Sequence, residues 1–427
     1  MKKRYVQVGT GGRARFFYEA VAAEFKETSE MVGFCDISQT RMDYANKLLT
    51  QKYSHPAVPT YSNSDFEKML DDLKPDFVIV TTVDRSHHDY IITSMEKGYD
   101  VISEKPMTID EEKAQEIIDC QKRTGRSLRV TFNYRYSPHN TKIRELIRDG
   151  VIGDVFSIHF EWLLNIQHGA DYFRRWHRNK VNSGGLLVHK STHHFDLVNF
   201  WLNDQPKTVF GFGDLNFYGQ ANAEARGVKD FYYRCLDNEY AKNDPFAIDL
   251  RANEDLTELY LNAEKDSGYI RDRSVFADDI SIEDTLGVTV KYNKGAILTY
   301  SLNAYMPWEG FNIAINGSKG RIEVHVVERS YINAGGDKEN EGALKVKRVT
   351  VHPMFGAPYE VVIEEKPGGH GGGDPILLND IFGVPDYDEF NRAASHIDGA
   401  MSILTGVAAN KSIASGMPIH IKDLIDI

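Results

Sequence analysis

Short apolar runs alternate with longer amphipathic stretches over the first 133 residues, and this alternation strongly constrains the fold. The runs have the length of buried strands, and the stretches between them have the length of helices. Strands alternating with helices form βαβ units, which build a parallel sheet covered by helices on both faces. The predicted strands are residues 5–8, 31–35, 77–80, 101–102 and 128–130.

The pattern changes near residue 154, where strand-like runs follow one another through tight turns such as Asn293-Lys294-Gly295. Such turns favour an antiparallel sheet. We therefore predict an α/β domain at residues 1–133 and an α+β domain at 134–427 with a large, mostly antiparallel open sheet. Within the second domain we predict a polar insertion at about 214–285 and a helix at about 387–415 that packs back on the first domain. The predicted strands of the second domain are residues 155–162, 208–212, 286–292, 296–302, 311–316, 321–327, 343–351 and 359–363.

The composition agrees with two globular domains and excludes several classes of partner. A chain of 427 residues exceeds one ordinary core, and its 41% apolar and 26% charged residues are typical of a soluble protein. The net charge of −12 argues against nucleic acid and anionic membranes, and no apolar run could span a bilayer. Three dispersed cysteines favour reduced thiols and a cytoplasmic location.

A glycine-rich loop, residues 9–14 (GTGGRA), separates the first predicted strand from the first predicted helix. Its glycines permit a tight turn and close approach to a pyrophosphate, which the helix N-terminus binds. Asp36 ends the second strand, where a carboxylate can bond a ribose 2′-hydroxyl. The pattern predicts a Rossmann site that prefers NAD, although Ser38 and Arg41 could accommodate NADP. The residues expected to contact the cofactor are Gly9, Gly11, Gly12, Arg13, Asp36 and Arg41.

Two later strand ends also carry polar residues. Thr82 and His87 follow the strand at 77–80 and should face the middle of a dinucleotide, although His87 could equally lie on a surface loop. Glu104 and Lys105 follow the next strand, which Pro106 ends by fixing φ. A lysine held there, beside a nicotinamide, can help remove a proton from an alcohol. The order of these features predicts a hydride-transfer enzyme.

The chain resembles the Gfo/Idh/MocA oxidoreductases, which include glucose–fructose oxidoreductase and inositol dehydrogenase. This resemblance implies NAD(H) or NADP(H), a sugar or cyclitol substrate, and oligomer contacts through the open sheet, as a homodimer or homotetramer. It also implies that Lys105 is catalytic and that Asn133 and Arg135 lie near the nicotinamide. The matching elements are the loop at 9–14, Asp36, residues 82–87, 104–106 and 133–138, Gly184-Gly185 with His193 and Asp196, and the antiparallel C-terminal half.

The segment 189–196 (HKSTHHFD) departs from the family pattern, which places an aspartate four residues before the catalytic histidine. His193 matches that histidine, but His189 occupies the aspartate position. Residues i and i+4 share one helical face, so both side chains can point into one cleft. Because His189 is not an anion, the proton relay is expected to differ in detail.

The paired histidines have two other interpretations. Histidines one turn apart can chelate zinc or another transition metal, but His370 or Asp196 would have to supply a third ligand. They can also be satisfied core residues. A proton relay without a metal is the favoured hypothesis.

Residues 168–178 (HGADYFRRWHR) interleave aromatic rings with forked hydrogen-bond donors. Trp and Tyr can stack on a sugar, while Arg and His can bond hydroxyls or a carboxylate, although such a run can also be a plain domain junction. The glycine-rich segment 368–373 is expected to be mobile and to cap the cleft. The predicted substrate contacts are Tyr172, Arg174, Trp176, His177, Lys190, His194 and His370.

The resulting hypothesis is an NAD(P)-dependent oxidoreductase acting on a carbinol of a sugar, sugar acid or cyclitol. His193, with an ordinary pKa of ~6.5, would accept the carbinol proton while the charge of Lys105 stabilises the alkoxide. His189 would complete the catalytic group. The alternative is an NAD-dependent glycosidase or lyase that oxidises its sugar transiently, without net redox change. A non-enzymatic sugar-binding protein is disfavoured by Lys105 and His193.

Overall fold

The computed structural model describes residues 2–329, 346–364, 366, 368–384 and 387–427. Six parallel strands form the N-terminal sheet: β1 (Lys3–Val8), β2 (Ser29–Asp36), β3 (Thr60–Ser62), β4 (Phe77–Val80), β5 (Asp100–Ser103) and β6 (Leu128–Val130). The helices between them are α1 (Arg15–Ala22), α2 (Gln39–Tyr53), α3 (Phe66–Leu73), α4 (His87–Glu96) and α5 (Glu111–Thr124). The edge strand β3 contains no apolar run, which is why the sequence pattern does not predict it.

The strand order is β6-β5-β4-β1-β2-β3, so the direction of winding reverses between β1 and β4. Crossovers leave the sheet in opposite directions at this point, which opens a crevice beyond the carboxyl ends of the strands. Val6, Val78 and Val80 are buried in the sheet core. A short antiparallel strand, β15 (Ala394–Ser395), pairs with β6 and extends this sheet from the C-terminal part of the chain.

In the other domain, which α6 (Pro138–Arg148) precedes, the described residues form a second sheet of nine strands. Its strands are β7 (Val155–Asn165), β8 (Pro206–Asp214), β9 (Thr285–Tyr292), β10 (Ile297–Met306), β11 (Glu309–Gly317), β12 (Gly320–Arg329), β13 (Val346–Pro353), β14 (Tyr359–Glu360) and β16 (Ile419–His420). They lie in the order β14-β13-β12-β11-β7-β10-β9-β8-β16, and every pair except β7–β10 is antiparallel. The predicted fold class is confirmed.

One face of this sheet is buried under helices. Phe160 and Trp162 of β7 are buried, whereas His159 and Glu161, which alternate with them, face the open side. The helices of this layer are α7 (Ile166–Arg174), α9 (Leu186–His189), α10 (Thr192–Leu202) and α15 (His396–Ser415), and a short helix, α8 (Lys180–Ser183), precedes α9. No helix of the described residues is long and apolar enough to cross a membrane.

The polar insertion contacts the N-terminal domain. Its short helices are α11 (Gln220–Ala225), α12 (Glu254–Leu256) and α13 (Glu264–Ser267), with a π-helical turn, Thr257–Leu261, after α12. Arg15 on α1 donates to Asp255 Oδ2 at 2.5 Å, which joins the insertion to the parallel-sheet domain.

The C-terminal region differs from the sequence prediction in two places, the start of the last helix and the strand at 359–363. The last helix begins at His396, not near residue 387, because Ser395 and Asp398 form a capping box at its N-terminus. In the glycine-rich segment at the start of α14 (Gly369–Phe382), His370, Gly371 and Gly372 have left-handed φ/ψ angles, and a Cβ on Gly373 would lie 2.5 Å from the Asn133 carbonyl oxygen of the first domain. The strand predicted at 359–363 is only the two residues of β14. Residues 343–345 of another predicted strand lie outside the described residues.

Candidate active site

A cleft of about 630 Å³ lies at the carboxyl ends of β1, β4 and β5, between the two domains. Its volume is in the range of small-molecule and cofactor pockets. The predicted residues that line it are Gly9, Gly11, Gly12, Arg13, Asp36, Arg41, Thr82, His87, Glu104, Lys105, Asn133, Tyr172, Trp176, His177, His189, Lys190, His193 and His370. The fold therefore brings together residues from both halves of the chain.

The glycine loop has the geometry that a dinucleotide site needs. Gly9 has φ +85°, and a Cβ there would lie 2.6 Å from the Thr81 carbonyl oxygen. Among the described residues other than its chain neighbours, no atom lies within 4 Å of the position that a Cβ on Gly11 would take, so this part of the loop faces open space. Asp36 holds the loop against the end of β2, because its Oδ2 accepts a hydrogen bond from Thr10 N at 2.5 Å. These residues fit the pyrophosphate and ribose of a dinucleotide.

Glu104 and His87 form hydrogen bonds between segments that follow different strands of the parallel sheet. Arg13 Nε donates to Glu104 Oε1 at 2.6 Å, and Lys105 N donates to Glu104 Oε2 at 3.0 Å. His87 is buried, with Nδ1 2.8 Å from the Pro106 carbonyl oxygen, so it does not lie on a surface loop. Glu104 thus links the glycine loop to the candidate catalytic lysine.

Lys105 faces the cleft, and its amine donates to the His189 carbonyl oxygen at 3.4 Å. The surrounding protein desolvates the amine and lowers its pKa to about 8, although the carboxylates of Glu104 and Asp84 oppose that shift. A minor fraction of Lys105 is therefore uncharged near neutral pH, and this fraction grows as the pH rises toward 8.

Asp84 is a functional candidate that the sequence pattern does not single out. It is buried at the start of a short 3-10 helix after β4, and its Oδ2 lies 2.5 Å from His189 Nδ1. Burial raises the pKa of Asp84, while the charges of Lys105 and Arg175 act in the opposite direction. The sequence signal that could have identified Asp84 is its position inside the predicted segment 82–87. Asp84 supplies from the first domain the carboxylate that His189 lacks.

His189 and His193 do not share one helical face, because α9 ends at His189 and α10 begins at Thr192. The His189 ring packs 4.2 Å from that of His177, and the His193 ring lies 4.9 Å from that of Tyr134. Burial, reinforced by the charge of Lys105, lowers the pKa of both histidines well below the ordinary value. Both are neutral imidazoles at neutral pH.

The other residues suggested as metal ligands have different partners. Asp196 accepts two hydrogen bonds from Arg135, and His370 Nδ1 lies 3.0 Å from Asp374 Oδ2. Over the described ranges, no group of three or more His, Cys, Asp or Glu side chains is arranged to hold a metal ion.

Three predicted contacts lie outside the cleft lining. Arg135 is buried, pairs with Asp196 and Asp398, and does not line the cleft in the described structure. His194 Nδ1 lies 2.7 Å from Tyr300 OH in the second-domain core. Arg174 donates to the Phe246 carbonyl oxygen, since the helical turn points it away from the cleft.

Arg175, the next residue, lines the cleft instead of Arg174. Its NH1 lies 3.6 Å from Asp171, which also pairs with Arg174 and Arg271. Burial alone would raise the pKa of Asp171, but the three guanidinium groups hold it well below its usual range. One carboxylate therefore faces three guanidinium groups, so the cluster has a net positive charge. Arg175 is the member of the cluster that lines the cleft.

Comparison with known families agrees with this arrangement. A family model described as "Oxidoreductase family, NAD-binding Rossmann fold" matches residues 3–132. A second, "Oxidoreductase family, C-terminal alpha/beta domain", matches residues 144–421. The chain belongs to the Gfo/Idh/MocA oxidoreductase family. The resemblance seen in the sequence motifs is thereby confirmed.

Members of this family differ in how much of the chain they match. YteT of Bacillus subtilis, named as an oxidoreductase, is 36% identical over 99% of this chain and 98% of its own length. D-glucoside 3-dehydrogenase of Escherichia coli is 27% identical over 40% of this chain and 46% of its own length. An oxidoreductase from Agrobacterium radiobacter, solved with NAD+, L-tartaric acid and magnesium, shares the fold with a TM-score of 0.65 at 14% identity, covering 100% of both chains.

Proposed function

We propose that this protein is an NAD-dependent oxidoreductase that transfers hydride between a carbinol of a sugar, sugar acid or cyclitol and the nicotinamide. The observation that carries the proposal is the position of Lys105. It follows β5 by two residues and lies in the cleft that the glycine loop shares with His189 and His193 of the second domain. The name of the E. coli relative, a glucoside dehydrogenase, supports a carbohydrate-like substrate.

The chain's own residues would hold the cofactor at the carboxyl edge of the parallel sheet. Gly9 and Gly11 would receive the pyrophosphate, Asp36 the adenosine ribose, and Thr82 the central part. When bound, NAD supplies the acceptor for the hydride that leaves the carbinol carbon. The Asn133 side chain is held in place beside the cleft, because its Nδ2 donates a hydrogen bond to Asp374 Oδ1 at 2.7 Å.

Lys105 is the proposed proton acceptor. With a pKa of about 8, its uncharged amine can take the hydroxyl proton as the carbinol becomes a carbonyl, and the ammonium can return that proton in the reverse direction. His193, the base expected from the sequence, is too weakly basic for this role because burial lowers its pKa. We assign it a hydrogen bond to the substrate hydroxyl.

The Asp84–His189 pair is proposed to position Lys105. The Asp84 carboxyl group fixes the His189 imidazole from one side, and the His189 carbonyl accepts a hydrogen bond from the Lys105 amine. Tyr172, Trp176 and His177 form an aromatic wall beside these groups, suited to the apolar face of a sugar ring.

A panel assay tests the proposal directly. Purified protein is mixed with NAD+ or NADP+ and neutral sugars, sugar acids or cyclitols, with and without a chelator, and reduced cofactor is followed by absorbance. Lys105→Ala should lose turnover with the active substrate but retain NAD+ binding by calorimetry. A Lys105→Ala protein with normal turnover would contradict the assignment.

A second candidate is sugar cleavage through transient oxidation, without net redox change. The observation that favours it is the insertion, whose Tyr260, Ser267 and Tyr269 line the cofactor end of the cleft and would hinder exchange of cofactor between turnovers. Under this reading, NAD+ would co-purify with the protein, and an aglycone would be released without accumulation of NADH.

A further inference from the structure

Asp266 belongs to the insertion but lies at the end of β2. Its Oδ2 accepts a hydrogen bond from Ser38 Oγ at 2.8 Å and another from Thr40 N at 2.9 Å. Ser38 N donates at 2.8 Å to Asp36 Oδ1, the carboxylate expected to face the adenosine ribose. Ser38 is therefore held between two carboxylates, one from each domain.

The insertion also occupies the donors that a 2′-phosphate would require. Proteins that accept NADP provide hydroxyl, backbone N–H or guanidinium donors at this strand end. Here Ser38 Oγ and Thr40 N donate to Asp266, and Arg41 Nε donates to the Leu259 carbonyl oxygen at 2.9 Å. A protein carboxylate thus stands where an NADP site would place its phosphate contacts.

Further contacts hold this part of the insertion against the first domain. Asp255 Oδ1 accepts from Tyr44 OH at 2.5 Å, and Lys47 Nζ donates to Glu254 Oε1 at 2.5 Å. Ser267, next to Asp266, lines the cleft. The Asp266 carboxylate is therefore held against the first domain and lies beside the proposed cofactor site.

We infer that Asp266 is a specificity-determining residue that, together with Asp36, selects NAD against NADP. It repels a 2′-phosphate and occupies the donors that would otherwise bind one, whereas the 2′-hydroxyl of NAD carries no charge to repel. The inference rests on the dinucleotide site of the proposed function. It assigns to the insertion a role in cofactor choice.

Binding measurements on Asp266→Asn test this role without relying on turnover. Asparagine keeps the size of the side chain and an oxygen that can accept from Ser38, but it removes the charge. Affinity for NADP+ and for 2′,5′-ADP, measured by calorimetry, should rise by about tenfold or more, while affinity for NAD+ and ADP stays the same. Glu258→Gln is the matched control: it removes one charge from the insertion at a side chain that accepts from Asn262, and it should leave the NADP+/NAD+ ratio unchanged.

The outcomes separate this inference from the proposed function. An unchanged ratio in Asp266→Asn, or a native protein that binds both dinucleotides equally, overturns the role of Asp266 while NAD+ binding still supports the site. A native protein that binds neither ADP nor NAD+ overturns the proposed function itself. Asp266→Ser provides a second variant if the first does not fold. In the native protein, rising salt should narrow the preference for NAD+, because screening weakens the repulsion.

Discussion

Asp84 and His189 come from different domains, yet Asp84 Oδ2 and His189 Nδ1 lie 2.5 Å apart beside the candidate catalytic lysine. The position that carries an aspartate in the family pattern is a histidine here, and the carboxylate reaches it from the end of β4. The polar group beside Lys105 is therefore complete only when the two domains are packed together.

Replacement of Asp84 by asparagine should lower turnover by roughly a hundredfold, the cost of misplacing a reacting group by about 1 Å. The amide preserves the size of the side chain but removes the carboxyl group that pairs with His189 Nδ1. Steady-state kinetics with the substrate from the panel assay measures the loss, and calorimetry with NAD+ should give an unchanged affinity. Asp89→Asn, an exposed acid on the following helix, is the control. Full turnover in Asp84→Asn would remove this residue from the mechanism.

The rate of alcohol oxidation should rise with pH through about 8, the pKa of Lys105. Only the uncharged amine can accept the carbinol proton, so oxidation is slow below this pKa and reaches a plateau above it. Reduction of the carbonyl needs the ammonium form and should fall over the same interval. Lys105→Arg keeps the positive charge but cannot lose it near neutral pH, and should therefore be inactive. An oxidation rate independent of pH between 6 and 10, roughly two units on either side of that pKa, would exclude Lys105 as the proton acceptor.

The sequence predicts the parts of the site that depend on local pattern. Gly9, Asp36 and Lys105 each follow a short apolar run, and parallel strands place all three at the same sheet edge. Their positions are therefore fixed once the strands are identified.

Other features depend on contacts between distant segments. Asp266 reaches Ser38 across 228 positions of sequence, and Asp84 reaches His189 across 105. The break between α9 and α10 likewise involves a long-range contact, since Ser191 Oγ lies 2.9 Å from Tyr300 OH. No local periodicity encodes such contacts, so the pattern wrongly placed His189 and His193 on one helical face.

Arg135 should behave as a structural residue. Replacing it by methionine leaves Asp196 buried without its bidentate partner, and breaking a buried pair in this way costs about 3–5 kcal/mol of unfolding free energy. Urea denaturation measures that loss, while the affinity for NAD+ of the remaining folded protein should be unaffected. Arg13→Gln should give the opposite result, with nearly normal stability but weaker NAD+ binding, because Arg13 lines the cleft and is partly exposed. Weakened NAD+ binding in a stable Arg135→Met protein would restore its assignment to the cofactor site.

Arg175 should favour substrates that carry a carboxylate. Asp171 is shared among three guanidinium groups, and Arg175 Nε is buried without a hydrogen-bond partner in the described structure, so an anionic ligand would complete its contacts. Arg175→Gln should raise the KM for a sugar acid roughly ten- to a hundredfold, the value of one charged hydrogen bond, and change the KM for the corresponding neutral sugar little. NAD+ affinity, measured in parallel, distinguishes this role from a contact to the cofactor pyrophosphate. Equal changes for the acid and the neutral sugar would show that Arg175 shapes the cleft without recognising charge.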